Sequence, residues 1–408
     1  MLTRDNRRVH TERGPIGMSV GEMRMNFAST DGRPVGRAQA SAAPLEFRHV
    51  SKRYGSGRVD ETPPRSAADP AGSLDVLGQR PGVRDNPRAL ATPAAVEDLS
   101  FTVPAGSICV LVGPSGCGKT TSLKMVNRLI EPSAGQIVLD GVDVMTQDVT
   151  ALRRRIGYVI QQVGLFPHLT VGENVAVVPS LQGWAKDRKT ARTRDLLALV
   201  GLDPAIYERR YPSQLSGGER QRIGVARALA ADPPLMLMDE PFAAVDPIAR
   251  ERLQDEFLRL QRELAKTILF VTHDIDEAVK MGDLIVVMNH GRLVQFGPPD
   301  RILAQPANDF VAALVGADRG LKRLSLRKIR DLQPEALDGR TGLPEFEPQV
   351  KLRDALSALL AADTRGGIAL DDDGKPRGLV TVEAIATALN EELDAGRPNS
   401  EAPREPAG

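Results

Sequence analysis

An α/β fold wound on a parallel sheet is predicted by three observations. Ser107-Ile-Cys-Val-Leu-Val112 is a short apolar run that reads as a buried parallel strand, and Thr120 to Leu129 reads as the helix after it. Between them, Gly113-Pro-Ser-Gly-Cys-Gly-Lys-Thr120 fits the phosphate-binding pattern G-x-x-x-x-G-K-S/T at every fixed position. A second apolar run, Pro234-Leu-Met-Leu-Met-Asp239, ends in adjacent carboxylates, Asp239 and Glu240. Strand, glycine-rich loop and helix in that order let backbone amides cradle the phosphates of a nucleoside triphosphate.

The elements follow in chain order. Residues 1–44 are polar, rich in Arg, Gly and Ser, and read as a disordered extension or an over-extended translation start. Leu45-Glu-Phe-Arg-His-Val-Ser-Lys-Arg-Tyr54 alternates as a first strand, and Val96 to Val103 is its return strand. Between them, residues 55–94 carry six prolines among Gly, Arg and Asp and read as an inserted flexible loop. In the phosphate loop, Gly113, Gly116 and Gly118 permit the tight turn, and Pro114, Ser115, Cys117 and Thr121 complete the lining. Lys119 reaches the β- and γ-phosphates and Thr120 holds Mg²⁺ through its hydroxyl. Leu215-Ser-Gly-Gly-Glu-Arg220 opens a helical segment, Ile223 to Ala230, with Ser216 near its cap, and the exposed amides there suit a γ-phosphate. Asp246-Pro247 is a helix start, and Leu253, Phe257, Leu260 and Leu264 recur at helical spacing behind it. Thr267 to Thr272 is a strand ending before His273. Leu284 to Met288 and Arg292 to Phe296 flank Asn289-His-Gly291 as a hairpin, with His290 a turn residue.

With these motifs in place, the chain resembles the ATP-binding subunits of ABC transporters from about Leu45 to Leu321, with all the motifs in family order. The resemblance implies a P-loop NTPase cassette of ABC type: a parallel core sheet, an antiparallel β subdomain and a helical subdomain (residues 163–226) within an ATPase domain spanning 45–320. It places Asp239 on Mg²⁺ and Glu240 on the attacking water. It makes Gln161, with Gln162 as the other register, the Q-loop glutamine and a further Mg²⁺ ligand. It also makes His273 the switch histidine and Ala244-Val-Asp246 the D-loop. Tyr54 matches the adenine-stacking aromatic, although an aromatic at a strand end also serves packing. Ser216, Gly217, Gly218 and Glu219 match the signature that closes on ATP held by a second protomer, which implies a homodimer around two ATP molecules. Phe166-Pro-His168 falls where this family receives a helix of its transmembrane permease, and it reads equally as groove wall or as core.

The C-terminal part carries the finer resemblance. Phe310 to Leu324 looks like the junction in ATPases of glycine betaine, choline and related osmoprotectant importers, where regulatory CBS domains follow. Gly367 to Thr381 and the helix from Val382 to Leu389 resemble a single CBS motif, although a plain hairpin plus helix has the same pattern. A small CBS-like α+β region over 321–396, acting as a salt- or nucleotide-responsive brake, and a disordered tail over 397–408 are expected. The resemblance implies an ATPase subunit that powers osmoprotectant uptake through a permease fed by a solute-binding protein. The alternatives are an importer ATPase for another solute, such as an amino acid, or a soluble ABC ATPase acting on DNA or ribosomes.

Composition bounds these readings. Lys and Arg together number 53 in the 408 residues, equal to Asp and Glu, so no basic surface for nucleic acid is indicated. The two cysteines, Cys109 and Cys117, suit a reducing compartment. No apolar run is long enough for a membrane span, so a cytosolic chain that reaches a membrane through its partners is expected.

Overall fold

The computed structural model describes residues 42–54, 94–161, 164–243, 245–337 and 342–395. The expectations for most of 1–44, for the 55–94 insertion, for Gln162, for Ala244 and for the tail after 396 fall outside these residues.

The chain begins with an antiparallel pair, β1 (Leu45–Lys52) and β2 (Val96–Val103). Leu45, Phe47 and Val50 are buried, and Phe47 stacks on its cross-strand partner Phe101 with ring centroids 4.5 Å apart. The strand ends at Lys52, so Tyr54 lies beyond it. β3 (Ile108–Val112) is buried at all five positions and leads into α1 (Lys119–Val126). That helix stops short of the expected Leu129: Asn127 is its C-cap, and Arg128 turns left-handed with φ 51°.

β4 (Ala134–Leu139) and β5 (Val142–Asp143) complete a four-stranded sheet in the order β2-β1-β4-β5. α2 (Val149–Arg154) and β6 (Ile156–Val159) follow. A helical region comes next, with α3 (Val171–Leu181), α4 (Lys186–Leu199), α5 (Pro204–Tyr207) and α6 (Gly217–Leu229). α6 starts at Gly217 with Ser216 as its N-cap, as expected, and Ser216 and Glu219 form a capping box ahead of the first buried position.

β7 (Leu235–Asp239), α7 (Pro247–Leu264), β8 (Thr267–Val271), α8 (Ile275–Met281), β9 (Leu284–Asn289) and β10 (Arg292–Gly297) finish the main sheet. Its six strands run in the order β10-β9-β3-β8-β7-β6, all pairs parallel except the β9–β10 hairpin. The two-residue turn is His290-Gly291 at φ 45° and 79°, as the strand twist requires. Side chains of the central strands alternate between two cores. Val110, Met238 and Phe270 face the helical side, while Leu111, Leu237 and Leu269 face α1 and the antiparallel sheet.

α9 (Pro299–Ala304), α10 (Asp309–Val315) and α11 (Arg319–Leu326) lead to a second, smaller layer. There β11 (Glu345–Phe346), α12 (Leu352–Ala361), β12 (Gly366–Leu370), β13 (Pro376–Thr381) and α13 (Val382–Ala395) form a three-stranded sheet flanked by helices. The boundary expected at 320/321 falls inside α11. Leu324 of that helix is buried with Ile329, Phe346, Leu352 and Val380 in the C-terminal core. Arg323 beside it pairs with Asp300 of α9 at 2.7 Å and donates to the Leu389 carbonyl of α13. Among the described residues, no helix is long and apolar enough to cross a membrane.

Candidate active site

The carboxyl ends of β3, β6, β7 and β8 bring the candidate residues together, and ligands of open parallel sheets bind at such an edge. The loop from Gly113 to Gly118 is shaped by its surroundings. Gly113 sits at φ 153°, where a Cβ would lie 2.1 Å from the Met288 carbonyl oxygen of β9. Gly118 sits at φ 104°, with a Cβ position 2.5 Å from the Ala95 carbonyl oxygen. Only glycine fits either place. Gly118 also caps α1 without any side-chain hydrogen bond, which leaves the first-turn amides of that helix for an anion. Pro114, Ser115 and Gly116 are exposed, and Thr121 is half-buried in the first turn of α1. The Cys117 carbonyl accepts from Gly291 N at 3.1 Å, while burial pushes its thiol pKa upward against the pull of Lys119. Lys119 is buried, with Nζ donating to the carbonyls of Gly113 at 2.7 Å and Pro114 at 3.0 Å.

Thr120 Oγ1 donates to Asp239 Oδ1 at 2.9 Å, joining the end of the phosphate loop to the end of β7. Burial raises the Asp239 pKa, opposed by the Thr120 hydrogen bond and by Lys124 and Lys119. Among the described residues no cluster of three or more His, Cys, Asp or Glu could hold a metal. A hydroxyl and one carboxylate side by side nevertheless fit Mg²⁺, which takes few protein oxygens and fills its shell with water and phosphate.

Glu240 occupies a left-handed conformation, φ 45°, with its amide donating to the Val271 carbonyl of β8 at 2.9 Å. Its two carboxylate oxygens have separate partners. Gln161 Nε2 donates to Oε2 at 2.9 Å, and His273 Nδ1 stands 3.2 Å from Oε1. Gln161, expected on the metal, is here a partner of Glu240.

The signature residues form a different kind of structure. Ser216 Oγ accepts from Glu219 N at 3.3 Å, and Glu219 Oε2 accepts from Ser216 N at 2.7 Å. The other oxygen of Glu219 accepts from the Tyr207 hydroxyl at 2.6 Å. Glu219 is thereby held below its ordinary pKa, by Tyr207 first and then Ser216, and Tyr207 is raised by the same bond. Ser216 and Gly217 stay exposed, and Gly218 is half-buried behind them. Asp246 caps α7 by accepting from Ala249 N at 3.0 Å. Tyr54 is 48% exposed, with Lys52 Nζ 5.3 Å from its ring centroid. Tyr207 escaped the motif reading: its partner lies twelve residues away across a proline-started turn, a separation that matches no helix or strand period.

Fold and site define a nucleotide-hydrolysing cassette of the phosphate-loop class. A family model described as ABC transporter matches residues 96–243. The osmoprotectant import ATP-binding protein OsmV of Salmonella typhimurium is 51% identical over 288 residues, which cover 70% of this chain and 74% of that protein. The choline transport ATP-binding protein OpuBA of Bacillus subtilis is 47% identical over 296 residues, 71% of this chain and 75% of that protein. A dimeric structure of MJ0796, a bacterial ABC transporter cassette, superposes with a TM-score of 0.50 at 27% identity, covering 62% of this chain and 98% of that one. The chain belongs to the ATP-binding proteins of ABC transporters and is an ATPase.

Proposed function

We propose that this chain is the ATP-hydrolysing subunit of an importer for a quaternary-ammonium osmoprotectant such as glycine betaine, choline or carnitine. The observation that carries the ATPase chemistry is the convergence of Lys119, Thr120, Asp239, Glu240, Gln161 and His273 at one sheet edge. The choice of solute rests on the similarity to OsmV and OpuBA.

ATP lies with its phosphates against the loop amides and the start of α1, and Tyr54 offers its ring to the adenine. Lys119 turns from the Gly113 and Pro114 carbonyls to phosphate oxygens and offsets charge developing on the transferred group. Thr120 and Asp239 would hold Mg²⁺, which would supply neutralisation of phosphate charge. Glu240 accepts a hydrogen bond from the attacking water and orients it in line with the γ-phosphorus. His273 and Gln161, one on each oxygen, keep that carboxylate aimed.

The signature of a second copy closes on the same γ-phosphate, so two chains enclose two ATP molecules, and Asp246 lies in the loop between the halves. A transmembrane permease docks beside Phe166, which is 42% exposed, and holds the chain at the membrane while a binding protein delivers solute outside. The C-terminal layer acts as a CBS-like brake.

The test is uptake of labelled glycine betaine by cells carrying the wild-type chain or Lys119→Ala, at low and high external osmolarity. Uptake that needs Lys119 and rises with osmolarity is the expected outcome. Equal uptake in both strains overturns the choice of solute.

A further inference from the structure

The exposed Ser216–Gly217 turn is held by very little. Its glycines carry no side chain to anchor it, and the amide and hydroxyl of Ser216 are both committed to the capping box with Glu219. The free end of the Glu219 side chain would rotate if only that box restrained it. Tyr207 prevents this, donating to Oε1 at 2.6 Å while Ser216 N occupies Oε2. The tyrosine is itself immobilised: its ring packs against the helical-side core, and the Arg210 guanidinium lies 4.6 Å from the ring centroid.

Tyr207 belongs to a strap, Asp203 to Tyr211, whose backbone has a second attachment. The Glu208 and Arg210 carbonyls accept from Gly172 N at 2.9 Å and Val171 N at 2.8 Å, the first amides of α3. Gly172 admits this approach: a Cβ there would stand 2.9 Å from Glu208 Cγ. Two residues further, Asn174 accepts from Phe166 N at 2.8 Å and donates to its carbonyl at 3.1 Å. A short chain of hydrogen bonds therefore runs from the backbone of Phe166 to that of Ser216.

We propose that Tyr207 is a positioning residue for ATP hydrolysis: through Glu219 it fixes the Ser216–Gly217 turn that receives the γ-phosphate held by a second copy, and its strap ties that turn to Phe166. This deepens the proposed closure of two copies and rests on it. The phosphate loop binds ATP without Tyr207; the tyrosine acts only when the second copy closes.

The experiment uses the full chain in a Glu240→Gln background, where ATP is bound and closed dimers accumulate. Two quantities are read: binding of trinitrophenyl-ATP to the separated chain, and the ATP concentration giving half-maximal dimer in sedimentation. Tyr207→Phe keeps the ring and loses one charge-assisted hydrogen bond, so trinitrophenyl-ATP affinity is expected to stay unchanged while the ATP needed for dimerisation rises about tenfold. Ser216→Arg, which places a bulky side chain on the turn, abolishes the dimer. If Ser216→Arg abolishes it and Tyr207→Phe leaves it unchanged, the role of Tyr207 is overturned while the closure stands. If Tyr207→Phe also weakens trinitrophenyl-ATP binding, its role is general scaffolding and the proposal is again overturned. If Ser216→Arg dimerises normally, the closure itself fails and the proposal falls with it.

Discussion

The phosphate loop is held by main chain, and the signature turn by side chains. Around Gly113 and Gly118 the carbonyls of Met288 and Ala95 press directly on the loop, and Gly291 N pins Cys117 O. Around Ser216 the backbone bond is the helix's own, Arg220 N to the Ser216 carbonyl at 3.0 Å, and the remaining restraints are a carboxylate and a phenol. Backbone packing gives one rigid geometry suited to a ligand that each chain must hold by itself. Side-chain hydrogen bonds are each worth about 1 kcal/mol, so the signature turn keeps its shape only while both Glu219 bonds are made.

The largest effect is expected inside the loop. Gly113→Ala drives a Cβ into the Met288 carbonyl, a backbone clash with no side chain to yield, and should destabilise the chain by about 4 kcal/mol or more and abolish ATP binding. Gly116→Ala has open space around it and only its φ of 80° to oppose the change, so a loss of about 1 kcal/mol with binding retained is expected. Urea denaturation with ATP titration reads both. Comparable losses for the two would show that the loop is not held by its neighbours.

Next in size, Glu240→Gln should slow hydrolysis by about a hundredfold or more while ATP still binds. Gln161 and His273 lose their carboxylate, but neither the phosphate loop nor the signature is touched. Single-turnover kinetics with a binding isotherm checks this, and wild-type turnover would remove Glu240 from its role. The smallest expected effect concerns charge. Burial raises the folded pKa of Asp239, so its penalty is absent below the ordinary aspartate value of about 3.9, grows as pH rises toward the folded pKa, and persists above it. Asp239→Asn should therefore stabilise the chain near neutral pH and confer nothing in acid, while Mg²⁺-dependent hydrolysis is lost. Glu219 has the opposite sign: its pKa is depressed, so its contribution is complete above the ordinary glutamate value and is lost as pH falls through the folded one. A urea midpoint for Asp239→Asn that does not move between acid and neutral pH would contradict the assignment.

What could be read in the residues follows the same division. The β3–loop–α1 unit was legible because its conformational demands are local, and positive φ at closely spaced positions calls for glycines. The His290-Gly291 turn and the Asp246-Pro247 helix start were legible on the same ground. Helix ends were less so. α1 stops at Val126 where Arg128 adopts αL, its guanidinium held by the Gln147 carbonyl, a partner the local pattern does not contain. Tyr207 with Glu219, and Arg323 with Asp300 and Leu389, depend on which elements the fold brings side by side. No periodicity encodes a contact between residues 66 positions apart.

α11 bears on any attempt to remove the C-terminal layer by excision. Lys322 pairs with Asp276, in the first turn of the helix that follows His273, and Arg323 pairs with Asp300. A chain cut at the expected boundary loses both cations from the ATPase side, and its altered turnover would report an injured hydrolytic core rather than a released brake. A chain cut after Leu326 keeps the cations but uncovers Leu324 and invites self-association. The helix works as a graft union: the informative excision retains residues through Leu326 and replaces Leu324 with a polar side chain.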